Sequence, residues 1–459
     1  VTELAEPRAL LGPAGLLEPG TELSRYEQAP NLLTGTAAFV ARPATEGELT
    51  ALLDWAHRER VRLIPQGANS GLVGGALPDD SGTQGVLSGE RLRERFELDT
   101  ASRTLTVSAG WQLDEINERL APHGLQLPVE VGSSPSVGGM LSTNTAGSHL
   151  IKYGDVRHRV LGLRAAVPDG AGTVLDLSRP LRKRNEGLDL KQAFIGTGGT
   201  LGVLTEASLE LAPLPRSRAT AWLAVPESGL LDVLTTFERH CADSLAAFEV
   251  VSPAAAALLT ERHEHLLNRI PRGEHFLVLA EIAADDERAE DKLTEALEAA
   301  AGQDLLHDAR IGAPQRMWEV RHAIPEITER MHPVLSLDLA TPRSAITRFR
   351  AEVHTRLAET CPDIRPIELG HYGDGGIHLI LPLPQRIAAD RDRVDELRML
   401  VYDIAVHRYA GSFSAEHGIG PKNHDAYLRY VPEAVRATAA LLKQHFDPHT
   451  VLAPLPRER

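Results

Sequence analysis

Apolar and polar positions along this chain change period repeatedly, and each change marks an element. FVARPAT at 39–45 reads as a strand, and 46–60 takes up a helical spacing. VRLIP at 61–65 reads as a short strand, 104–109 alternates as another, and 113–120 reads as a short helix. VLGLRAAVPDGAGTVLDL, 160–177, reads as two strands joined by a Gly-rich turn, and FIGTGGTLGVLTEASLEL, 194–211, as a Gly turn and a strand. Pro213 and Pro215 mark a boundary. Beyond it, strands at 220–225, 248–251, 275–283 and 334–340 alternate with helices near 230–242, 285–301 and 344–359. PQRMWEVRHAIPEITERM, 314–331, is amphipathic at helical spacing apart from Pro325. PIELGHYGDGGIHLILPLP, 366–384, reads as a hairpin, and 394–446 is mostly helical. Strands alternating with helices in this half predict an α+β domain with an antiparallel sheet. No short-period repeat or low-complexity segment interrupts the pattern.

At 459 residues the chain is too long for one core of ordinary size, so two domains are expected, with room for a third small element. No run of about eighteen apolar residues occurs, so no transmembrane segment is expected. The opening VTELAEPRALLGPAG lacks a basic start followed by an apolar stretch; no secretory signal is expected, and the expected location is cytoplasmic. A net charge of −15 argues against nucleic-acid binding, while leaving room for a locally basic pocket and an anionic substrate. The two cysteines, Cys241 and Cys361, are in no CxxC spacing, which excludes a thiolate zinc site or an iron–sulfur cluster held by this chain alone.

The 38 glycines are informative where they cluster. Pro65 to Gly75, PQGANSGLVGG, follows a strand and places four glycines in nine positions, so backbone N–H groups can converge on an anion such as a pyrophosphate. It has no GK[ST] and no GxGxxG opening a long helix, so neither a Walker loop nor a Rossmann NAD site is supported. Gly132 to Gly154 is a second segment rich in Gly, Ser, Thr and Asn, read as loops, and two such segments could clamp one long cofactor. GTGGTLGV at 196–203 is a third, preceded by the basic stretch LRKRNEGLDLK, whose ordinary reading is a solvated face. In GHYGDGGIH, a strand to His371, a turn at 373–376 and a strand from Ile377 would set His371 and His378 side by side, half of a divalent metal site. SAEHGIG adds Glu416 and His417. The spacing alone leaves a metal pair and a structural histidine pair both open.

Taken in order, these motifs resemble the FAD-linked D-2-hydroxy-acid dehydrogenases of the vanillyl-alcohol-oxidase superfamily, from about Ala37 to Leu455. PQGANSGLVGG and LRKRNEGLDLKQAFIGTGGTLG are most similar to the D-2-hydroxyglutarate branch. The resemblance implies an α+β protein with a bipartite FAD domain over 1–215 (core 37–213), a cap domain over 216–400, and a helical segment over 401–459 that returns to the flavin. It implies non-covalent FAD held by Gln66, Gly67, Ala68, Asn69, Ser70, Gly71 and Leu72, by Ser136, Gly138, Gly139, Asn144, Thr145, Gly147, Tyr153 and Gly154, and by Gly202 and Val203. It implies a divalent metal, zinc or similar, on His371, His378 and Glu416, with Arg321 gripping the substrate carboxylate and His417 taking the hydroxyl proton. Electrons would leave to a quinone, a cytochrome or an electron-transfer flavoprotein. Oligomeric state is open, a homodimer being admissible.

Departures from that branch narrow the substrate. A substrate-binding threonine four residues after the arginine is replaced by Pro325. An expected lysine is Ser336, and an asparagine two residues after the second metal histidine is Ile380. The Asn of the GDGN turn is Gly376, the Glu of GSEGTLG is Gly198, and the C-terminal NP reads Ala453-Pro454. Burying a second carboxylate without partners costs several kcal/mol, so D-lactate or a larger apolar 2-hydroxy acid is expected to fit better than hydroxyglutarate, unless Arg316 and His322 replace the lost groups. Three alternatives stay open: an oxidase using O₂ on another alcohol; a metal-dependent hydrolase with structural Gly loops, which would be colourless even with FAD; and a non-catalytic binding module.

Overall fold

In the computed structural model, residues 3–456 are described apart from 21–22, 31–32 and 330. The chain forms two compact units, Val1–Ala146 with Gly154–Pro213 and Glu416–Arg459, and Gly147–Tyr153 with Leu214–Ala415.

In the first unit, strands β1 (Phe39–Ala41), β2 (Leu63–Gln66) and β3 (Gly85–Ser88) form a parallel set in the order β1-β3-β2, edged by Leu16–Leu17 running antiparallel to β1. Helix α1 (Glu46–Glu59) crosses over between β1 and β2, capped by Thr45, whose hydroxyl accepts from Glu48 N–H at 3.0 Å. Its apolar stripe, Leu49, Leu52, Leu53 and Ala56, is buried against Phe39 and Leu63. A second, antiparallel sheet joins β4 (Phe96–Asp99), β5 (Thr104–Ser108), β6 (Val160–Ala166), β7 (Val174–Asp176) and β8 (Val203–Glu210) in the order β7-β6-β8-β5-β4. Inside this unit helix α2 (Val137–Thr143) occupies a stretch expected to be loops. VGGMLST is a poor helix sequence. Burial of Val137, Met140 and Leu141 in the core, and Ser136 capping Gly139 N–H at 3.2 Å, offset that propensity.

The second unit is built on seven antiparallel strands: β9 (Ser217–Val225), β10 (Leu245–Val251), β11 (Phe276–Ala284), β12 (Asp308–Gly312), β13 (Val334–Ala340), β14 (Ile367–Gly370) and β15 (Gly376–Pro382), ordered β12-β9-β11-β10-β14-β15-β13. Helix α3 (Pro314–Glu329) packs on one face of this sheet, together with Pro253–Arg262. It continues through Pro325, because Val320, Ile324 and Ile327 on its inner face are buried. The helix expected from 285 starts at Ala289, after the turn that follows β11. Among the described residues no helix is long and apolar enough to cross a membrane.

Candidate active site

The first unit gathers the three Gly-rich motifs around α2. The β2 loop passes its N-terminus so closely that a Cβ on Gly67 would lie 2.3 Å from Ser136 Oγ. At the other end, Gly196 N–H and Gly198 N–H donate to Leu141 and Ser142 carbonyls at 3.0 and 2.7 Å. Gly198 sits at φ +64°, a left-handed position that disfavours the glutamate expected there. Gln66 is buried, and its amide donates to the Tyr26 and Ala76 carbonyls at 2.9 and 2.8 Å. Asn69, at φ +56°, donates to Gln28 O at 2.7 Å. These two side chains therefore shape the loop, leaving backbone and the exposed Ala68 and Gly71 to face a ligand, with Ser70 and Leu72 half-buried beside them. Asn144 is likewise spent on Asp155 Oδ2, at 2.7 Å, and on Arg157 N–H, at 3.0 Å. Thr145 Oγ1 pairs with Thr143 Oγ1 at 2.9 Å. Gly202 is closely packed, a Cβ there lying 3.1 Å from Ala166 O, and Val203 pairs with Ala166 in the sheet. Gly138 and Gly139 lie in α2, and Gly154 at φ +74° reopens this unit. Gly147 and Tyr153 belong instead to the second unit, where His149 and Lys152 between them bond Glu281 and the Ala283 carbonyl. The SAEHGIG turn also reaches this cradle: Gly420 lies so close to the Val73 carbonyl that a Cβ would be 2.4 Å from it. A loop backbone with exposed Ala68 and Gly71, packed at Gly67 against the start of α2, fits an extended diphosphate cofactor.

The second unit carries the histidines. β14 ends at Gly370 and β15 begins at Gly376, so the turn spans five residues, and His371 lies one residue beyond its strand. His371 Nε2 and His378 Nε2 face each other at 3.3 Å. Behind His371, Nδ1–H donates to Glu249 Oε1 at 2.5 Å. Behind His378, Nδ1 is 3.5 Å from Asp338 Oδ1, its cross-strand partner. The Glu249 carboxylate at Nδ1 turns the His371 Nε2 lone pair toward His378 Nε2, and two lone pairs meeting there repel unless a cation or proton lies between them. A tetrahedral ion about 2.0–2.1 Å from each nitrogen separates its ligand atoms by about 3.3–3.4 Å. Ala415 N–H donates to Asp338 O at 3.3 Å, so the chain leaves this unit beside that pair. Glu416 and His417, the other two side chains expected at the metal and the substrate, are the next two residues of the chain and open the last segment of the first unit.

Arg321 projects from α3 and is buried; its Nε donates to Glu249 Oε2 at 2.9 Å. Burial alone would raise the Glu249 carboxyl, but His371 and Arg321 together hold it below the usual carboxylate range. Glu281 lies on the same sheet face, on the neighbouring strand. It pairs with Arg218 at 2.6 Å, lies 3.4 Å from His149 Nε2, and accepts from Trp318 Nε1. Burial opposes its ionisation too, yet these partners lower it to about 2. Glu249, Glu281 and Asp338 had no assigned role in the sequence. Their signal was a single acid in each of three mainly apolar strands, FEVV, LAEIA and VLSLDLA, which a buried sheet tolerates only with partners.

Comparison with known proteins gives the family. FAD linked oxidases, C-terminal domain, match residues 214–456, and the FAD binding domain matches 37–178. D-2-hydroxyglutarate dehydrogenase of Xanthomonas citri pv. viticola is 32% identical, covering 96% of this chain and 92% of that protein. The mitochondrial D-2-hydroxyglutarate dehydrogenase of Rattus norvegicus is 30% identical over 92% of this chain and 78% of its own. Among solved structures, alkyldihydroxyacetonephosphate synthase superposes with a TM-score of 0.74 at 16% identity, covering 98% of this chain and 84% of that one, which is a likeness of fold.

Proposed function

Because the chain belongs to the FAD-linked D-2-hydroxy-acid dehydrogenases, we propose that it oxidises a small D-2-hydroxy acid to the 2-oxo acid with a divalent ion, zinc or similar, on His371, His378 and Glu416, and that its best substrate carries an apolar group rather than a second carboxylate. The opposed Nε2 atoms of His371 and His378, 3.3 Å apart with carboxylates behind both rings, carry the metal reading. When bound, FAD supplies the acceptor for the C2 hydride, and the divalent ion lowers the pKa of the substrate hydroxyl. The residues do the rest. An imidazole nitrogen of His417 takes the hydroxyl proton. Arg321 keeps both Nη groups for the substrate carboxylate while Nε is committed to Glu249. Gly67, Ala68 and Gly71 take the diphosphate on backbone N–H groups. Electrons leave to an external quinone, cytochrome or electron-transfer flavoprotein.

The substrate preference rests on β13 and β15. Ser336 and Ile380, standing where lysine and asparagine are expected, are cross-strand partners next to the Asp338–His378 pair. Ile380 is buried in the apolar cluster with Ile324, Ile327 and Ile367. A distal carboxylate would meet hydrocarbon there. Anaerobic addition of D- and L-2-hydroxy acids, one at a time, while following the flavin spectrum tests the whole reading. Bleaching by a D-acid, fastest for a monocarboxylate and abolished by a chelator, is the expected result. A flavin that no hydroxy acid bleaches would overturn it.

A further inference from the structure

We propose that Glu249 is a positioning residue that ties the metal histidine to the substrate arginine, an inference that rests on the roles given above to His371 and Arg321. Its side chain is fully buried in β10. Oε1 accepts from His371 Nδ1–H and Oε2 from Arg321 Nε–H, so one carboxylate serves two residues that arrive from different elements, the β14–β15 turn and α3. Only a carboxylate can do this. Glutamine has a single acceptor oxygen, and its NH₂ would face an N–H donor; aspartate is one methylene too short to keep both bonds.

Two consequences follow for the site. Accepting from Nδ1–H fixes the His371 tautomer and points the Nε2 lone pair at His378, while the negative charge raises Nε2 basicity. Holding Arg321 by Nε alone orients the guanidinium and leaves its Nη pair as a fork. The two effects are linked. A substrate carboxylate that draws on the Arg321 charge leaves Glu249 bound more strongly to His371, so ligand binding at the arginine tightens the metal, and the metal tightens the ligand by the same factor.

Glu281 provides a matched control. It is an equally buried acid on the same sheet face, and among the described residues its charged partners are Arg218 and His149, neither of them in the metal set. The test compares flavin-loaded full-length wild type, Glu249→Gln, Glu249→Asp and Glu281→Gln. Zinc affinity is measured by competition with a chromophoric chelator, and kcat and KM for the best D-2-hydroxy acid are measured separately. Glu249→Gln is expected to weaken zinc about 10- to 100-fold, the usual effect of losing a carboxylate behind a ligating histidine, and to raise KM more than it lowers kcat. Glu249→Asp should do the same if the glutamine variant fails to retain flavin or its near-ultraviolet circular dichroism. Glu281→Gln should leave zinc affinity within about threefold of wild type, below the range expected for a carboxylate directly behind a ligand. Wild-type zinc affinity and KM in a folded Glu249 variant, or an equal loss in Glu281→Gln, would overturn the proposal. Wild-type protein that takes up no zinc would instead overturn the metal reading, and with it the His371 half of this one; KM then decides the Arg321 half.

Discussion

Ser336 and Ile380 stand directly opposite each other on the β13–β15 ladder, two residues along each strand from Asp338 and His378. Two departures that are 44 positions apart in the chain therefore form one patch beside the histidines. Burying an unpaired carboxylate against such a patch costs several kcal/mol. The wild type should favour a D-monocarboxylate over D-2-hydroxyglutarate by at least about tenfold in kcat/KM, and Ser336→Lys with Ile380→Asn should shift that ratio toward the dicarboxylate. Equal kcat/KM for the two acids in the wild type would refute the preference.

Replacing His371 by alanine should abolish turnover and metal uptake while leaving flavin bound. The imidazole sits in the second unit and the glycine cradle in the first. Metal analysis and the visible spectrum of the same sample decide this, and joint loss of flavin and metal would contradict it.

A Gly67→Ala change should weaken flavin binding at least about tenfold, equivalent to about 1.4 kcal/mol. Its Cβ would be 2.3 Å from Ser136 Oγ, so either the loop or the helix cap must move. Loss of that cap costs about 1 kcal/mol of stability. Reconstitution titrations of apoprotein with FAD, paired with a thermal melt, separate the two effects.

Glu281 should contribute to acid sensitivity. Its folded-state carboxyl lies at about 2 against an ordinary 4.5, so its stabilisation is complete above the ordinary value and is lost as pH falls through the window toward 2. The loss amounts to roughly 2 kcal/mol by about pH 3. Urea unfolding should show Glu281→Gln losing less stability than wild type between neutral pH and that point. Parallel losses in the two proteins would remove Glu281 from the acid limb.

Lys443 is buried in the C-terminal helix Glu433–Phe446, with Nζ on Asp447 Oδ2 at 2.6 Å, the Thr200 carbonyl at 2.7 Å and the Ala453 carbonyl at 3.1 Å. Lys443→Met leaves the buried Asp447 carboxylate with the Val451 and Leu452 N–H groups but no cation, and should cost about 3 kcal/mol, read as a lower melting temperature. Because Thr200 lies in the third glycine motif, flavin content should fall with it.

By itself the sequence determined most elements, the order of the motifs and the family, because apolar periodicity and turn chemistry are local. Leu113–Leu120 forms the helix its spacing predicts, and the expected hairpin forms, with its turn at 371–375 rather than 373–376. It also marked His371 and His378 as neighbours, since a hairpin brings residues seven apart together. Only the tertiary structure decided what stands behind them. Glu249 lies 122 residues from His371 and 72 from Arg321, and no local pattern relates the three. The same holds for α2, whose glycines argue against a helix until burial of Val137, Met140 and Leu141 outweighs their cost. Propensity is a property of short stretches. The partners of a buried charge, and the core that rescues a poor helix, are chosen by which strands and helices the fold sets side by side.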